Sequence, residues 1–392
     1  MKNKVSEGWE DKSRSFASPR MTRVVLAIVV VVLFATNNSF AQGTQAVPAA
    51  ANPRAAGPLV HTFSIVARDP KTGEIGAAVQ SHWFAVGQSV IWAEAGVGAV
   101  ATQSFVDPSY GPLGLDLMRA GKSAPEALKG LLNSDPNSSV RQVAMVDNEG
   151  RVGVWTGAKD IAAAGHIAGP IKAGSAPRDE AITNNDQNGT FSVGEEFSTE
   201  ANLMANDKIW PAMAKAFQEA KGDLAERMLA ALDAAQAVGG DIRGRQSAAL
   251  VVVKAKSIGQ PWNDRIFDLR VDDADYPLKE LRRLVALQRA YNHMNAGDLA
   301  TEHKDNEGAL REYAEAERIA ASTEGVLPSR LAEMMYWHAV ALVNMGRVDE
   351  SLPLFKKVFN MMPSYRELTP RLIKPGLIVN DPKVIEKILQ QK

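Results

Sequence analysis

Apolar and polar residues alternate through the segment 61–103, and residues typical of turns separate the apolar runs. In the first run Phe63, Ile65 and Ala67 share one face, because successive side chains of a strand point to opposite faces. The other face begins with the hydroxyl of Thr62. A turn containing Pro and Gly follows, so the pattern predicts a hairpin of two antiparallel strands with one buried face.

Similar patterns predict further elements along the chain. Alternating or continuous apolar runs bounded by turn residues predict strands at 75–81, 90–94, 97–103, 142–146, 151–156, 191–197, 247–253 and 267–271. Apolar residues at three- and four-residue spacing predict helices beginning near Pro112 and at 124–132, 210–220 and 224–238. From Tyr276 onward the pattern is helical. The sequence therefore predicts an α+β domain at 61–275, followed by an all-α domain at 276–392.

The composition is that of a globular protein, with 392 residues, 45% hydrophobic residues and a formal net charge of −1. This length is sufficient for two domains. The near-neutral charge argues against a nucleic-acid partner, since phosphate binding needs concentrated Lys and Arg. The absence of cysteine excludes disulfides, thiolate nucleophiles and cysteine-based zinc sites.

The segment 1–41 has the pattern of a secretory signal. A basic start at Met21–Arg23, with Met21 a possible true start, precedes an apolar run over 24–35. Ser39 and Ala41 supply the small residues of a cleavage site. The run is shorter than the roughly 20 apolar residues of a membrane span, although an uncleaved anchor is the alternative. We expect a periplasmic or secreted protein with no stable membrane span after cleavage.

Thr62 is the candidate nucleophile. If the chain were cut between His61 and Thr62, a hydroxyl and a free α-amine would share one residue. An α-amine with a pKa of about 8 is partly neutral at pH 7 and can accept the hydroxyl proton. Signal cleavage alone would leave Thr62 behind a flexible Ala- and Pro-rich linker at 42–60, so a second cut is needed. The alternative is an ordinary strand threonine.

Other polar residues are candidates for substrate binding. Ser81 and His82 end the second strand of the hairpin, and Gln103 ends the strand that closes the segment. The following loop leads through Asp107 and Tyr110 to a helix N-terminus, where free N–H groups could hold an oxyanion or a carboxylate. A turn or cap role is the alternative for this loop.

Arg243 and Arg245 lie just before a predicted strand, where a guanidinium could receive a substrate carboxylate. Arg245 is therefore a further candidate for substrate binding. The plainer interpretation is an ion pair with Asp268, Asp272 or Asp273.

The histidines give little support for a metal site. Six occur, and none has the HExxH spacing of zinc hydrolases. His166 lies between glycines and is interpreted as a hydrogen-bonded loop residue. We predict neither a metal nor another cofactor.

Seven segments together resemble the bacterial family called domain of unknown function 1028: HTFSIVARDP, AVQSHW, WAEAGVGAVATQSFVDPSYGPLGLDLMRAG, RQVAMVDNEGRV, AGHIAG, ANLMANDKIWPAMA and GGDIRGRQSAALVVV. The resemblance runs from about His61 to Asp273. It implies the fold of the N-terminal-nucleophile (Ntn) hydrolases, a four-layer αββα sandwich. Members often begin Met-Thr, so that loss of Met exposes the threonine. The resemblance also makes Asn202 a candidate catalytic, polarising side chain, with a cap or turn role as the alternative.

In the C-terminal part, residues 335–363 follow the spacing of tetratricopeptide repeats, and a looser copy runs from Gly297 to Ala316. Stacked helix pairs of this kind bury faces that one pair cannot. Two units are few for a free-standing array, so the domain is predicted to pack on the first domain through a helix at 276–294. Its predicted use is docking of a protein partner or homodimerisation.

Two functional hypotheses follow. In the first, an exported amidohydrolase cleaves a small-molecule or peptide-like amide through Thr62, and N–H groups near 98–103, with Asn202, stabilise the oxyanion. In the second, the sandwich is a non-catalytic ligand- or cell-wall-binding surface. Many hydrolases of the resembled superfamily add an internal Lys and Asp that tune the nucleophile. This chain departs from that pattern, which weakens the first hypothesis. The corresponding strands here carry Gln80, Ser81 and Trp92.

Overall fold

The computed structural model describes residues 57–171 and 184–391. These residues lie within one compact unit, Ala50–Lys392. The predicted signal segment 1–41 and most of the predicted linker 42–60 lie outside the described residues. In the described ranges, no helix has both the length and the apolarity that crossing a bilayer requires.

The described residues contain thirteen strands: β1 (Leu59–Val60), β2 (Thr62–Arg68), β3 (Ile75–Ser81), β4 (Ile91–Glu94), β5 (Gly98–Phe105), β6 (Arg141–Asp147), β7 (Arg151–Gly157), β8 (Gly165–Ala168), β9 (Asn184–Asp186), β10 (Gly189–Glu195), β11 (Phe197–Ala201), β12 (Ser247–Val253) and β13 (Arg265–Val271). They form two antiparallel sheets. Sheet A has the order β1-β5-β6-β7-β10-β9, with β4 also pairing with β5. Sheet B has the order β13-β12-β3-β2-β11-β8.

The same ranges contain ten α-helices: α1 (Tyr110–Arg119), α2 (Ala124–Ser134), α3 (Ile209–Glu219), α4 (Leu224–Ala237), α5 (Pro277–Glu302), α6 (Asn306–Ser322), α7 (Pro328–Asn344), α8 (Val348–Met361), α9 (Ser364–Arg371) and α10 (Pro382–Leu389). Helix α2 begins with a capping box, because Ser123 and Glu126 bond each other's backbone N–H groups. The chain is thus a mixed α/β protein with a helical C-terminal region.

A hydrophobic core lies between the two sheets, with Val66 and Val79 from sheet B and Ala101 and Val154 from sheet A. A second core joins the outer face of sheet B to α3, α4 and α5. A third joins sheet A to α1 and α2. Both faces of each sheet are therefore covered.

This covering corrects the prediction that β2 buries only one face. Phe63 and Ile65 lie on one face of β2 and pack against the helices that cover sheet B. Thr62 and Ser64 lie on the other face, and they are buried as well. The pattern did predict the alternation correctly. It could not show that the polar face of β2 is opposed by a second sheet.

Two other predicted segments have different boundaries. The run predicted as one strand at 191–197 is divided between β10 and β11, which belong to different sheets. Glu196 lies between them with a φ of 68°, and the chain turns there. At the end of the predicted linker, β1 pairs with β5, with Leu59 opposite Phe105 and Val60 opposite Ser104.

Helix α5 connects the helical C-terminal region to sheet B. Its residues Leu278, Leu281 and Val285 belong to the core that covers that sheet. Farther along, Tyr313 of α6 packs against Gly297 of α5, where an added Cβ would lie 3.1 Å from the ring. Helices α7 and α8 contribute to another shared hydrophobic cluster.

Candidate functional site

Polar side chains fill the space between the sheets where β2 begins. Each of them is fully buried, and their hydrogen bonds connect strands of both sheets. Buried polar groups cost free energy unless they are paired, so this concentration is unusual for a purely structural core. We call the set the inter-sheet polar cluster: Thr62, Ser64, Ser81, Gln103, Gln142, Glu200 and Asn202.

Thr62 is the first residue of β2 and has no exposed surface. Its Oγ1 donates to the carbonyl of Val60, 2.8 Å away. Its own carbonyl accepts from the backbone N–H of Asn202 at 3.1 Å and from Nε2 of Gln103 at 3.3 Å. Both sheets therefore fix the main chain at Thr62, while the hydroxyl bonds only a neutral acceptor.

The carbonyl oxygen of His61, immediately before Thr62, accepts two side-chain hydrogen bonds. Ser81 Oγ lies 2.5 Å away and Arg243 Nη2 lies 2.7 Å away. Asp241 fixes the guanidinium, because Arg243 Nη2 and Nε donate to its carboxylate at 2.6 and 3.0 Å. A charged donor and a hydroxyl on one carbonyl oxygen stabilise negative charge there, as oxyanion donors do.

The His61 side chain is buried beside this carbonyl, with 2% exposure. Its Nδ1 lies 2.7 Å from Oδ1 of Asn202, whose Nδ2 donates to Gln142. Since the Asn202 amide oxygen faces the ring, His61 Nδ1 carries the proton. Burial lowers the pKa of His61, and Nε2 has no hydrogen-bond partner. The ring also meets Phe105 edge-on, with centroids 6.2 Å apart.

Glu200 is the buried carboxyl of the cluster. Burial raises its pKa to about 8, so it is neutral at pH 7. The geometry agrees, because Ser64 Oγ lies 2.6 Å from both Gln103 Oε1 and Glu200 Oε1 and has one proton for two oxygens. A protonated Glu200 satisfies the second contact by donating to Ser64.

His166 lies on β8 and is buried at the margin of the cluster. Its two ring nitrogens contact Thr156 Oγ1 at 2.7 Å and Ser192 Oγ at 2.8 Å. Burial lowers its pKa to about 4, which keeps it neutral at pH 7. The predicted hydrogen-bonded role is confirmed, but the residue is in a strand and not in a loop. Within the described ranges, no group of three or more His, Asp or Glu is placed to hold a metal ion.

The structure brings four of the predicted site residues together: Thr62, Ser81, Gln103 and Asn202. His82 is exposed, and its backbone N–H donates to Asp241 at 3.2 Å. It thus adjoins the ion pair that holds Arg243, at the edge of the cluster.

The other three predicted residues lie elsewhere. Asp107 accepts from the backbone N–H of Ser109 in a turn and lies 3.7 Å from Arg141. Tyr110 is buried in the core beneath α1 and α2, and its hydroxyl donates to Asp135. The contact of Asp107 matches the turn role given above as the alternative, whereas Tyr110 is part of a hydrophobic core.

Arg245 is also outside the cluster. Its Nε donates to the carbonyl of Asp275, and its guanidinium lies over Tyr276, 4.1 Å from the ring centroid. The expected pairing with Asp268, Asp272 or Asp273 is wrong for both arginines. Arg243 pairs with Asp241, only two positions away, and it is Arg243 that reaches the site.

Sequence reasoning missed several neighbours of the candidate site: His61, Gln142, Glu200 and Asp241. It named Arg243 beside Arg245, but it did not predict the contact of Arg243 with the His61 carbonyl. Gln103 and Gln142 face each other across β5 and β6, so amides at inward positions of two predicted strands were one available signal. The contact between Arg243 and His61 spans 182 positions and gave no local signal.

Fold and site define a mixed α/β protein with a buried threonine at the start of a central strand. The model of a family of unknown function, DUF1028, matches residues 62–176 and 181–281, and the chain belongs to this family. A crystal structure of a DUF1028 protein from Silicibacter pomeroyi is 26% identical, with a TM-score of 0.46 over 57% of this chain and 84% of that one. A comparison with curated proteins gives no match.

Proposed function

We propose that this chain is an exported amide hydrolase that cuts its own His61–Thr62 bond and then uses Thr62 as an N-terminal nucleophile. We infer that the two facing sheets, with helices on their outer faces, form the four-layer αββα sandwich of Ntn hydrolases. The sequence pattern of a secretory signal supports export.

The observation that carries this proposal is the pair of donors on the His61 carbonyl. His61 lies between β1 and β2, and its carbonyl oxygen receives two side-chain donors, Ser81 Oγ and Arg243 Nη2. The hydroxyl that could attack its carbon belongs to the next residue, Thr62. The scissile bond, the nucleophile and the oxyanion donors therefore meet at one point.

The self-cleavage needs no cofactor, because the chain and one water molecule supply all the atoms and protons of the reaction. Thr62 Oγ adds to the carbonyl carbon of His61, and the C–N bond breaks as the hydroxyl proton passes to the leaving nitrogen. This gives an ester on Thr62 Oγ and a free α-amine on the same residue. Water then hydrolyses the ester, which releases the His61 carboxylate and restores the hydroxyl.

In the cut chain, the same groups serve a substrate amide. The α-amine of Thr62 accepts the hydroxyl proton, and Ser81 and Arg243 hold the substrate oxygen. These side-chain donors replace the backbone N–H groups expected near 98–103, because β5 is already paired along both edges. Asn202 and Gln103 position the main chain of Thr62.

A binding protein is the second candidate. It is favoured by one observation, which is that Thr62 is fully buried and its hydroxyl donates to a backbone carbonyl, not to a base. In either case we propose that the C-terminal helices form a tetratricopeptide-like domain used for docking or homodimerisation.

The experiment is to determine the N-terminus of the protein isolated from its native cell envelope. We expect a chain that begins at Thr62. Thr62→Ala should stay uncut and inactive, and Thr62→Ser, which keeps a hydroxyl, should be cut. Thr102→Ala is the matched control, since it removes another buried threonine hydroxyl that donates to a backbone carbonyl.

A wild-type chain that begins upstream of Thr62 would favour the binding protein. Cleavage of Thr62→Ala at the same bond would exclude Thr62 as the nucleophile. Correct folding of each variant is checked by circular dichroism and thermal unfolding.

A further inference from the structure

We infer that the groove filled by Leu59–His61 is the acyl-side substrate site of the cut enzyme, and that it takes an extended peptide ending in a neutral, hydrogen-bond-donating residue. The inference rests on the proposed function and specifies its substrate class. The segment 57–61, which we call the leader, shows how such a peptide sits.

The leader binds as an added strand at the edge of sheet A. Leu59 and Val60 pair with Phe105 and Ser104 of β5, and Val106 N–H donates to the carbonyl of Pro58 at 2.9 Å. Departure of the leader leaves these backbone groups unpaired beside Thr62. A free strand edge of this kind binds extended peptides through main-chain hydrogen bonds.

Side-chain contacts of the leader define two apolar subsites. Val60 is fully buried in the core between the sheets. Leu59 is partly buried against Phe105 and Val140. A substrate should therefore carry apolar residues at the second and third positions before the scissile amide.

The terminal subsite is polar, and the group that pairs with the side chain, the Asn202 amide, is uncharged. The His61 ring donates from Nδ1 to Asn202 Oδ1 and lies against the edge of Phe105. The ion pair of Arg243 and Asp241 closes the site beside the carbonyl. A lysine or arginine here would bury a charge next to a guanidinium, and an aliphatic residue would leave Asn202 Oδ1 unpaired. Histidine, asparagine and glutamine side chains offer the required N–H.

The experiment uses the processed chain and the acetylated peptides Pro-Leu-Val-His, Pro-Leu-Val-Leu and Pro-Leu-Val-Lys. Binding of the free acids is measured by calorimetry, and hydrolysis is measured with the matching aminomethylcoumarin amides. We expect the His peptide to bind at least about tenfold more tightly than the other two, consistent with one lost buried hydrogen bond. In the amide series, kcat/KM should follow the same order.

Asn202→Leu tests the subsite directly and should reduce the preference for His over Leu by about tenfold, as expected for one buried hydrogen bond. The peptide series needs no variant, so it still decides the matter if Asn202→Leu does not fold. The uncut Thr62→Ala chain is the negative control, because its own leader fills the groove and no peptide should bind.

The outcomes separate the two proposals. Selective binding without hydrolysis of any amide would support the groove and overturn the hydrolase. Hydrolysis with equal affinity for the three peptides, or with a preference for Lys, would overturn the groove alone. A wild-type chain that is never cut at His61–Thr62 would overturn both, and N-terminal sequencing identifies that case.

Discussion

At the scale of single residues, Glu200 determines how the polar cluster responds to pH. Its carboxyl lies between Ser64 and Ser198, with no cationic side chain among its hydrogen-bond partners. Burial raises the pKa of this carboxyl to about 8, so it stays protonated at lower pH. The neutral carboxyl completes the hydrogen bonds of Ser64, whereas the ionised form would be a buried charge without a counter-ion.

Glu200→Gln should therefore reduce the loss of stability at rising pH. A pKa raised by folding stabilises the native chain below the unfolded pKa, and this contribution disappears as pH rises through the folded pKa. The wild type should lose stability between about pH 5 and pH 8, by a few kcal/mol in order of magnitude. Urea unfolding at several pH values measures this loss.

The matched control for that substitution is Glu149→Gln, which changes an exposed carboxylate. It should leave the decline with pH unchanged. A decline of equal size in Glu200→Gln and in wild type would mean that another group titrates in this range.

At the scale of elements, β1 is short but closely fitted. Gly57 has a φ of 129°, and an added Cβ would lie 2.3 Å from the carbonyl oxygen of Val106. The same Val106 donates its N–H to Pro58. Only glycine therefore allows the leader to reach its position beside β5.

Gly57→Ala should slow self-cleavage at His61–Thr62, because the displaced leader no longer holds the His61 carbonyl against Ser81 and Arg243. The measurement is the fraction of cut chain over time by intact mass. Gly130→Ala is the control, since a Cβ there meets nothing within 4 Å. Equal cleavage rates in the two variants would show that the seating of the leader does not matter.

The elements also show what could be predicted from sequence. Strand β12 has the predicted boundaries, because it is a continuous apolar run with clear turn residues on either side. The division of β10 from β11 was missed, since alternation continues through Glu196 and says nothing about which sheet a strand joins. For the site, Thr62, Ser81 and Gln103 were predicted from their places in the strand pattern, and Asn202 was predicted from the family resemblance. Arg243 was named beside Arg245 as a guanidinium that could receive a carboxylate, but its contact with the His61 carbonyl depends on tertiary structure that no local pattern encodes.

At the scale of the whole molecule, α5 couples the C-terminal helices to sheet B. Its N-terminal half supplies apolar residues to the core over sheet B, and Arg282 and Arg289 form ion pairs with α4 or its N-cap. Since burial of apolar surface contributes more than exposed ion pairs, the apolar contacts should dominate this coupling.

Leu281→Ala should lower the free energy of unfolding by about 2–5 kcal/mol, as for other fully buried leucines. Leu299→Ala in the same helix is the control, because that side chain is 53% exposed, and it should cost less than about 1 kcal/mol. Chemical unfolding followed by tryptophan fluorescence compares them. Equal costs would show that α5 does not anchor the helical region.

The short pairing of the leader with β5 has a consequence for the timing of activation. Once the bond after His61 is broken, the severed end is held by a two-residue strand and a few side-chain contacts. On the proposed function, a newly cut molecule would therefore still carry its own competitive inhibitor. Turnover should lag behind cleavage by the time that the fragment takes to dissociate, and dilution should favour its release by slowing rebinding.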